Sequence, residues 1–529
     1  MSEPTPELKP LHQLFFERVQ EAPEKTALVL PEGTEVSRGE LWEQACRVRA
    51  FLESKGVGPR DRVALIGVST VSFSAAIWGT LSLGATAVPL NYRLPEEELA
   101  WLIGDAGAKA ILSDKRYLDV LEKEVKAEIA GGVPVVCFDE AWEGAASWQE
   151  VQACEPSDAQ RVPYASPLED IIYVLYTSGT TAKPKGVEEP HKGYAITAAA
   201  PSPIPPEAVV YAHALPLYHL AGLATLTSGM ARGGRYIIMD RWNPEQFLKA
   251  VEQFKCTVTF LVPTMMCDLV ESGLLGKHDV SSMLLIAYGA APTPTDVLIG
   301  MIEGFPKTFF MQVYTQTEGA SRVTQLDPED HKLSNDNPEL RAKQIRRLQS
   351  IGKIAPGVEA KICDESGNEV SQGEIGVLWY RTPGAMRGYM NRESETQDTL
   401  REGWIVSGDM VRMDEDGYVY IVGRSKDFLI RGGENIAPRE IEEVLESHPD
   451  VIEAAVVGKP HHRWGEIVVA FARCPERKPT EESLKSLCQA HLAGFKVPEK
   501  IWIRDELPRN SVGKILKREL AEEAKHLEV

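Results

Sequence analysis

Tyr176-Thr177-Ser178-Gly179-Thr180-Thr181-Ala182-Lys183-Pro184-Lys185-Gly186-Val187 sets hydroxyls, two glycines and two lysines directly after the apolar run Ile171-Ile172-Tyr173-Val174-Leu175. Hydroxyls and backbone N–H groups in a glycine-rich turn are good ligands for phosphate oxygens, and lysines add positive charge. The chemistry on offer is the binding of a polyphosphate. This is not a Walker loop, which needs Gly, four residues, then Gly-Lys-Ser/Thr; five residues after Gly179 stands Pro184. Polar surface loops rarely gather this ligand set behind a buried strand.

Such a loop must be held by a sheet. From about residue 10 to 325 helical and strand-like pieces alternate. Residues 40–55 carry Leu41, Ala45, Val48 and Phe51 at helical spacing, and Val63 to Val68 reads as a buried strand. A helical stretch to about Leu83 and a strand at 87–90 follow. This rhythm predicts a mainly parallel sheet with helices on both faces. After about 350, glycines punctuate short β-like runs such as Val377 to Tyr380, the pattern of a compact antiparallel sheet or barrel. From about 428 an α+β texture begins, with helices at 438–447 and 480–493 and a strand at 454–457.

A chain of 529 residues exceeds what one core supports, so two or more domains are expected. The formal charge of −20 argues against a general nucleic-acid or anionic-membrane binder, though a local basic cluster still admits anionic substrates. The eight cysteines form no C-x-x-C pair, so neither a zinc site nor a disulfide framework is expected, and reduced thiols fit a cytoplasmic protein. No apolar run reaches the length of a membrane span.

The 176–187 segment resembles the phosphate loop of the adenylate-forming (AMP-binding) superfamily, Y-T-S-G-T-T-G-x-P-K-G-V, in its acyl- and aryl-CoA ligase branch. It departs only at Ala182, where the family has glycine. Further motifs follow in family order. Leu215-Pro216-Leu217-Tyr218-His219 resembles L-P-L-F-H, Gly289-Ala290-Ala291-Pro292 the adenine loop, and Tyr314-Thr315-Gln316-Thr317-Glu318 resembles Y-G-x-T-E with Thr315 for glycine. Ser407-Gly408-Asp409, Gly423-Arg424 and Pro508-Arg509-Asn510-Ser511-Val512-Gly513-Lys514 complete the set.

The resemblance implies an α/β fold. A large N-terminal adenylation domain of parallel sheets, residues 1–424 with a small β-barrel at about 340–424, is followed by a hinge at 425–427 and a small mobile α+β C-terminal domain, 428–529. It implies ATP contacts from Thr177, Ser178, Gly179, Thr180, Thr181, Lys185, Gly289, Ala290, Ala291, Pro292, Tyr314, Thr317, Asp409, Arg424 and Lys514. Glu318 would bind Mg²⁺, Lys514 would catalyse adenylation with Thr317 and His219 assisting, and Lys426 would be the hinge. His219, Tyr288, Gly289 and Ala320 would line the pocket for a mostly apolar aryl or aliphatic acid.

For the thiol step, Asn91-Tyr92-Arg93-Leu94 resembles the N-P-R-L segment whose arginine meets a CoA phosphate, and Gly432, Gly433, Trp464 and Phe495 match positions along the CoA arm. Together these favour free CoA over a carrier protein. The expected activity is an AMP-forming carboxylate–CoA ligase. The alternatives are a stand-alone enzyme that loads a carrier protein and a nucleotide-binding remnant, the latter disfavoured by Glu318 and Lys514. The implied partners are a small carboxylic acid, ATP and CoA, with a homodimer left open.

Overall fold

The computed structural model describes residues 7–177, 184–202, 204–334, 336–364, 366–424, 429–431, 434–436, 438–461, 464–492, 494–509 and 514–528. The chain divides into two compact units, Met1–Glu359 with Tyr380–Ile405, and Ala360–Trp379 with Val406–Val529.

The first unit is the predicted α/β body, built on two large sheets. One runs in the order Lys353–Ile354, Thr324–Leu326, Phe309–Tyr314, Leu285–Gly289, Val258–Leu261, Val210–His213, Arg235–Ile238, Thr26–Val29, Glu35–Ser37. It is parallel from Phe309–Tyr314 to Thr26–Val29 and antiparallel at both edges. The other runs Gly388–Tyr389, Lys185–Pro190, Ile171–Thr177, Thr86–Pro89, Arg62–Ile66, Ala110–Ser113, Val135–Cys137, Ala146–Ser147. Its first three strands pair antiparallel and the rest parallel. Buried strands of this kind are apolar throughout because helices cover both faces.

Helix formation is locally encoded. Arg38–Ser54 opens with a capping box between Ser37 and Glu40 and buries Leu41, Ala45 and Val48. It packs tightly on Val71–Ser82, where a Cβ on Gly79 would lie 2.6 Å from Val48 Cβ. Only glycine permits that approach.

The glycine-punctuated stretch takes part in a five-stranded sheet whose strands are Glu359–Cys363, Gly376–Arg381, Leu400–Arg401, Trp404–Met413 and Val419–Arg424. The C-terminal region builds a sheet on Glu453–His461, Gly465–Arg473 and Lys500–Arg504. Its alternation buries Val456, Val468 and Ala470 in one core, with Leu445 and Leu484 of the helices Pro438–Glu446 and Glu481–His491. Val457, Val469 and Phe471 join a second core with Leu520 of the helix Lys517–His526. Among the described residues no helix is long and apolar enough to cross a membrane. All eight cysteines are free thiols.

Candidate active site

The phosphate segment is a β-hairpin. Ile171–Thr177 returns antiparallel as Lys185–Pro190, with Thr177 opposite Lys185 and Tyr176 opposite Gly186. Ser178, Gly179, Thr180, Thr181 and the departure at Ala182 lie outside the described residues. The base of the hairpin is anchored from the side. Tyr176 donates from its hydroxyl to Asp105 at 2.9 Å, and Arg392 reaches the other oxygen of the same carboxylate at 3.3 Å.

Glu318 sits in a short 3₁₀ turn, Thr317–Gly319, after the strand Phe309–Tyr314. Tyr389 donates a 2.7 Å hydrogen bond to its Oε1, and the Met386 N–H donates to its backbone carbonyl at 2.8 Å. The Tyr380 hydroxyl braces the same turn through Gln316 Oε1 at 3.2 Å. Thr315, the second departure from the motif, is absent from the residues with positive φ, so glycine is not required there. Its hydroxyl donates to the Ser321 carbonyl and ties the turn together.

Among the described residues no group of three or more His, Cys, Asp or Glu could hold a metal. Mg²⁺ keeps water and substrate phosphates as most of its ligands, so one braced carboxylate such as Glu318 fits it.

The adenine-loop residues follow the strand Leu285–Gly289. A Cβ on Gly289 would fall 2.1 Å from the Val313 carbonyl oxygen, so the strand admits no side chain there. Ala290 takes φ +74°, a left-handed conformation that costs an alanine about 1 kcal/mol and turns the chain sharply out of the sheet. Ala290 and Pro292 are exposed beyond it.

The acyl-pocket residues behave differently from one another. Tyr288 is buried, and its hydroxyl is hydrogen-bonded to His331 Nε2 at 2.9 Å, so its polar end is already engaged. Burial pushes that histidine down to about 4 and keeps it neutral. Ala320 is buried at φ +46°, and a Cβ on Gly193 would come within 3.2 Å of its Cβ.

His219 precedes the helix Leu220–Arg232, whose Gly222 admits the Pro216 carbonyl where a Cβ would stand 2.1 Å away. Its ring meets Tyr218 at 4.5 Å, and Tyr218 meets Tyr92 at 5.1 Å. The guanidinium groups of Arg93 and Arg116 each lie 5.8 Å from the Tyr92 ring. A line of aromatic rings therefore joins the acyl candidate His219 to the CoA candidate Arg93.

Sequence reasoning passed over Glu189. It is fully buried on the strand Lys185–Pro190, accepts a hydrogen bond from Tyr194, and has no partner for its Oε1 among the described residues. Burial pushes its carboxyl well above the usual range, and the charge of Glu318 adds to that. The signal was the position: Glu189 falls on the inward side of a strand that leaves Glu188 partly exposed.

In the second unit Asp409 is buried and stands directly opposite Arg424 in the pairing of Trp404–Met413 with Val419–Arg424. Lys514 is exposed, just before a bridge between Arg509 and Ile515 that closes its loop. Lys426, Gly432 and Gly433 lie outside the described residues.

Trp464 and Phe495 are large aromatics left 39 % exposed. Arg431, which the motif reading did not single out, connects them. Its guanidinium lies 6.0 Å from the Trp464 ring, and its Nη1 donates to the Phe495 carbonyl at 3.0 Å. Trp464 also borders a cavity of about 550 Å³ with Lys459, His461 and Glu499.

The first unit carries the Ile171–Thr177/Lys185–Pro190 hairpin and the braced Glu318, and the second carries the exposed Lys514. A family model described as AMP-binding enzyme matches residues 15–390, and one described as AMP-binding enzyme C-terminal domain matches 440–514. The chain belongs to the AMP-binding enzyme family, and it is an AMP-forming acid–thiol ligase.

It is 32 % identical over 514 residues to a feruloyl-CoA synthase of Amycolatopsis sp., covering 95 % of this chain and 96 % of that one. It is 31 % identical over 525 residues to the fatty acid–[acyl-carrier-protein] ligase ScoC of Streptomyces coeruleorubidus, covering 97 % and 96 %. The o-succinylbenzoate CoA synthetase of Bacillus subtilis, solved with its acyl-adenylate intermediate, superposes with a TM-score of 0.83 at 28 % identity, covering 97 % and 98 %.

Proposed function

We propose that this enzyme joins a mostly apolar aryl or aliphatic carboxylic acid to CoA. ATP adenylates the acid with loss of pyrophosphate, and CoA then takes the acyl group with loss of AMP. The observation that carries the CoA half is the exposed pair Trp464 and Phe495 gathered on Arg431. A partly exposed indole beside a guanidinium suits an adenine and its phosphates.

In the first step a carboxylate oxygen attacks the α-phosphorus, and the bond to pyrophosphate breaks. Both reactants are anions, so the barrier falls when cations meet them. Lys185 and the hydroxyls of its hairpin receive the triphosphate. Lys514 neutralises the reacting carboxylate and α-phosphate; one such contact near 4 Å is worth roughly 4 kcal/mol at an effective dielectric of about 20. Glu318 would hold Mg²⁺, which when bound would offset charge on the phosphates. His219 closes the acyl pocket, whose walls include Tyr288, Gly289 and Ala320. Asp409 and Arg424 take the ribose.

In the second step the thiol attacks the acyl carbon and AMP leaves. Lys514 has no role there, so the C-terminal domain, 428–529, turns about Lys426 and offers Gly432, Gly433 and Trp464 to the pantetheine arm. Arg93 takes a CoA phosphate. The free thiols suit a reducing cytoplasm.

The likeness to ScoC supports a second reading, in which the acceptor is a carrier protein. A panel of acids screened by pyrophosphate release, then repeated with CoA and with a phosphopantetheinylated carrier, tests both. Acid-dependent release with CoA thioester as product supports the first reading; thioester on the carrier alone overturns it.

A further inference from the structure

The strand Gly388–Tyr389 belongs to none of the motifs above, yet it is tied to both sides of the phosphate site. It pairs antiparallel with Lys185–Pro190, Tyr389 opposite Val187. The Met390 N–H donates to the Gly186 carbonyl and the Arg387 N–H to the Glu188 carbonyl, each at 2.8 Å. Met386, in the same segment, donates to the Glu318 carbonyl at 2.8 Å. One short segment therefore fixes the backbone of the hairpin that carries Lys185 and of the turn that carries Glu318.

The Tyr389 side chain repeats the connection. Its hydroxyl donates to Glu318 Oε1 at 2.7 Å, while the Lys185 ammonium lies 4.9 Å from its ring centroid. Among the described residues no ion pair joins Lys185 to Glu318. A direct pair would neutralise both groups before substrate arrived and would have to be broken on binding. With the phenol as their common neighbour, the ammonium rests on an aromatic face and the carboxylate on a neutral donor. Both contacts are weaker than a desolvated ion pair. Each charge stays available, the cation for phosphate oxygens and the carboxylate for a divalent cation.

We propose that Tyr389 is a positioning residue that orients Glu318 for the metal and keeps Lys185 from neutralising it. The inference rests on the reading of Glu318 as the metal carboxylate. Loss of an outer partner of a metal ligand typically costs about tenfold or more in metal affinity.

The test compares the unaltered enzyme with Tyr389→Phe, Tyr389→Ala and Glu318→Gln. Mn²⁺ binding is followed by electron paramagnetic resonance with α,β-methylene-ATP present. Metal-free binding of that nucleotide is measured by calorimetry, and thermal midpoints are recorded. Tyr389→Phe is expected to weaken Mn²⁺ binding about tenfold while leaving metal-free nucleotide binding unchanged, because the ring under Lys185 remains. Tyr389→Ala is expected to weaken both, and the Phe variant decides alone if the Ala variant does not fold. Unchanged Mn²⁺ affinity in Tyr389→Phe, with Glu318→Gln weakened, overturns the inference and spares the Glu318 reading. Unchanged affinity in Glu318→Gln overturns that reading and the inference with it. Equal loss of both constants in Tyr389→Phe gives the hydroxyl a merely structural role and also overturns the inference.

Discussion

Arg431 holds Trp464 by its ring, 6.0 Å from the guanidinium, and the same guanidinium holds Phe495 by its carbonyl. Arg431 is also ion-paired with Glu499, so its position is fixed from a third side. An indole left 39 % exposed offers apolar surface on which a ligand can pack.

Trp464→Ala is therefore expected to raise the KM for CoA by about tenfold, the equivalent of about 1.4 kcal/mol of lost stacking. Acid-dependent ATP–pyrophosphate exchange should be unchanged. Steady-state kinetics of the two half-reactions check this, and an unchanged CoA KM removes the main support for free CoA.

Lys514→Ala should separate the half-reactions in the opposite sense. Removing a contact worth roughly 4 kcal/mol slows adenylation by about a thousandfold. Thioester formation from synthetic acyl-adenylate should change little. Rapid-quench measurements of each step check the difference, and equal losses would withdraw the assigned role.

Gly289→Ala tests the adenine loop. The added methyl would meet the Val313 carbonyl oxygen at 2.1 Å, so the two strands must separate. Overpacking of this kind typically costs about 1–3 kcal/mol. A lower thermal midpoint and a raised KM for ATP are expected together, because Ala290 to Pro292 follow directly from that strand.

Glu189 predicts a pH dependence. Its folded-state carboxyl titrates well above the ordinary 4.5, because burial disfavours the charge. The fold thus binds a proton that the unfolded chain releases above about 4.5. The associated stability is full below that pH and is lost as pH rises toward the folded value, at up to about 1.4 kcal/mol per unit. Glu189→Gln keeps the acceptor for Tyr194 and has no proton to lose. Its advantage in thermal midpoint should be small near pH 4.5 and grow toward pH 8, and a pH-independent difference would contradict the assignment.

The frame of the proposed phosphate site was legible in the sequence because it is local: an apolar run leads into the hydroxyl and lysine run, and the strands around it set Thr177 opposite Lys185. The periodicity at 40–55 and the apolar run at 63–68 fall on the helix Arg38–Ser54 and the strand Arg62–Ile66. What stayed hidden depends on long-range pairing. Tyr389 is 71 residues from Glu318, and Arg431 is 64 from Phe495, and neither sits in a run whose composition marks it. Glu189 was hidden for another reason. It carries no motif signal, and only strand alternation turns it inward while Glu188 stays partly exposed.

Departures from the motif also needed coordinates to weigh. Thr315 does not take a positive φ, so its backbone does not demand glycine; among the described residues Ala290 and Ala320 are the alanines held at positive φ.

The measurement that tests the account most directly is product stoichiometry in one reaction with ATP, CoA and an acid found by the pyrophosphate screen. The account predicts one AMP and one pyrophosphate for each CoA thioester, with both lost in Lys514→Ala. Formation of ADP and phosphate, or AMP release with no thioester on CoA, would contradict it.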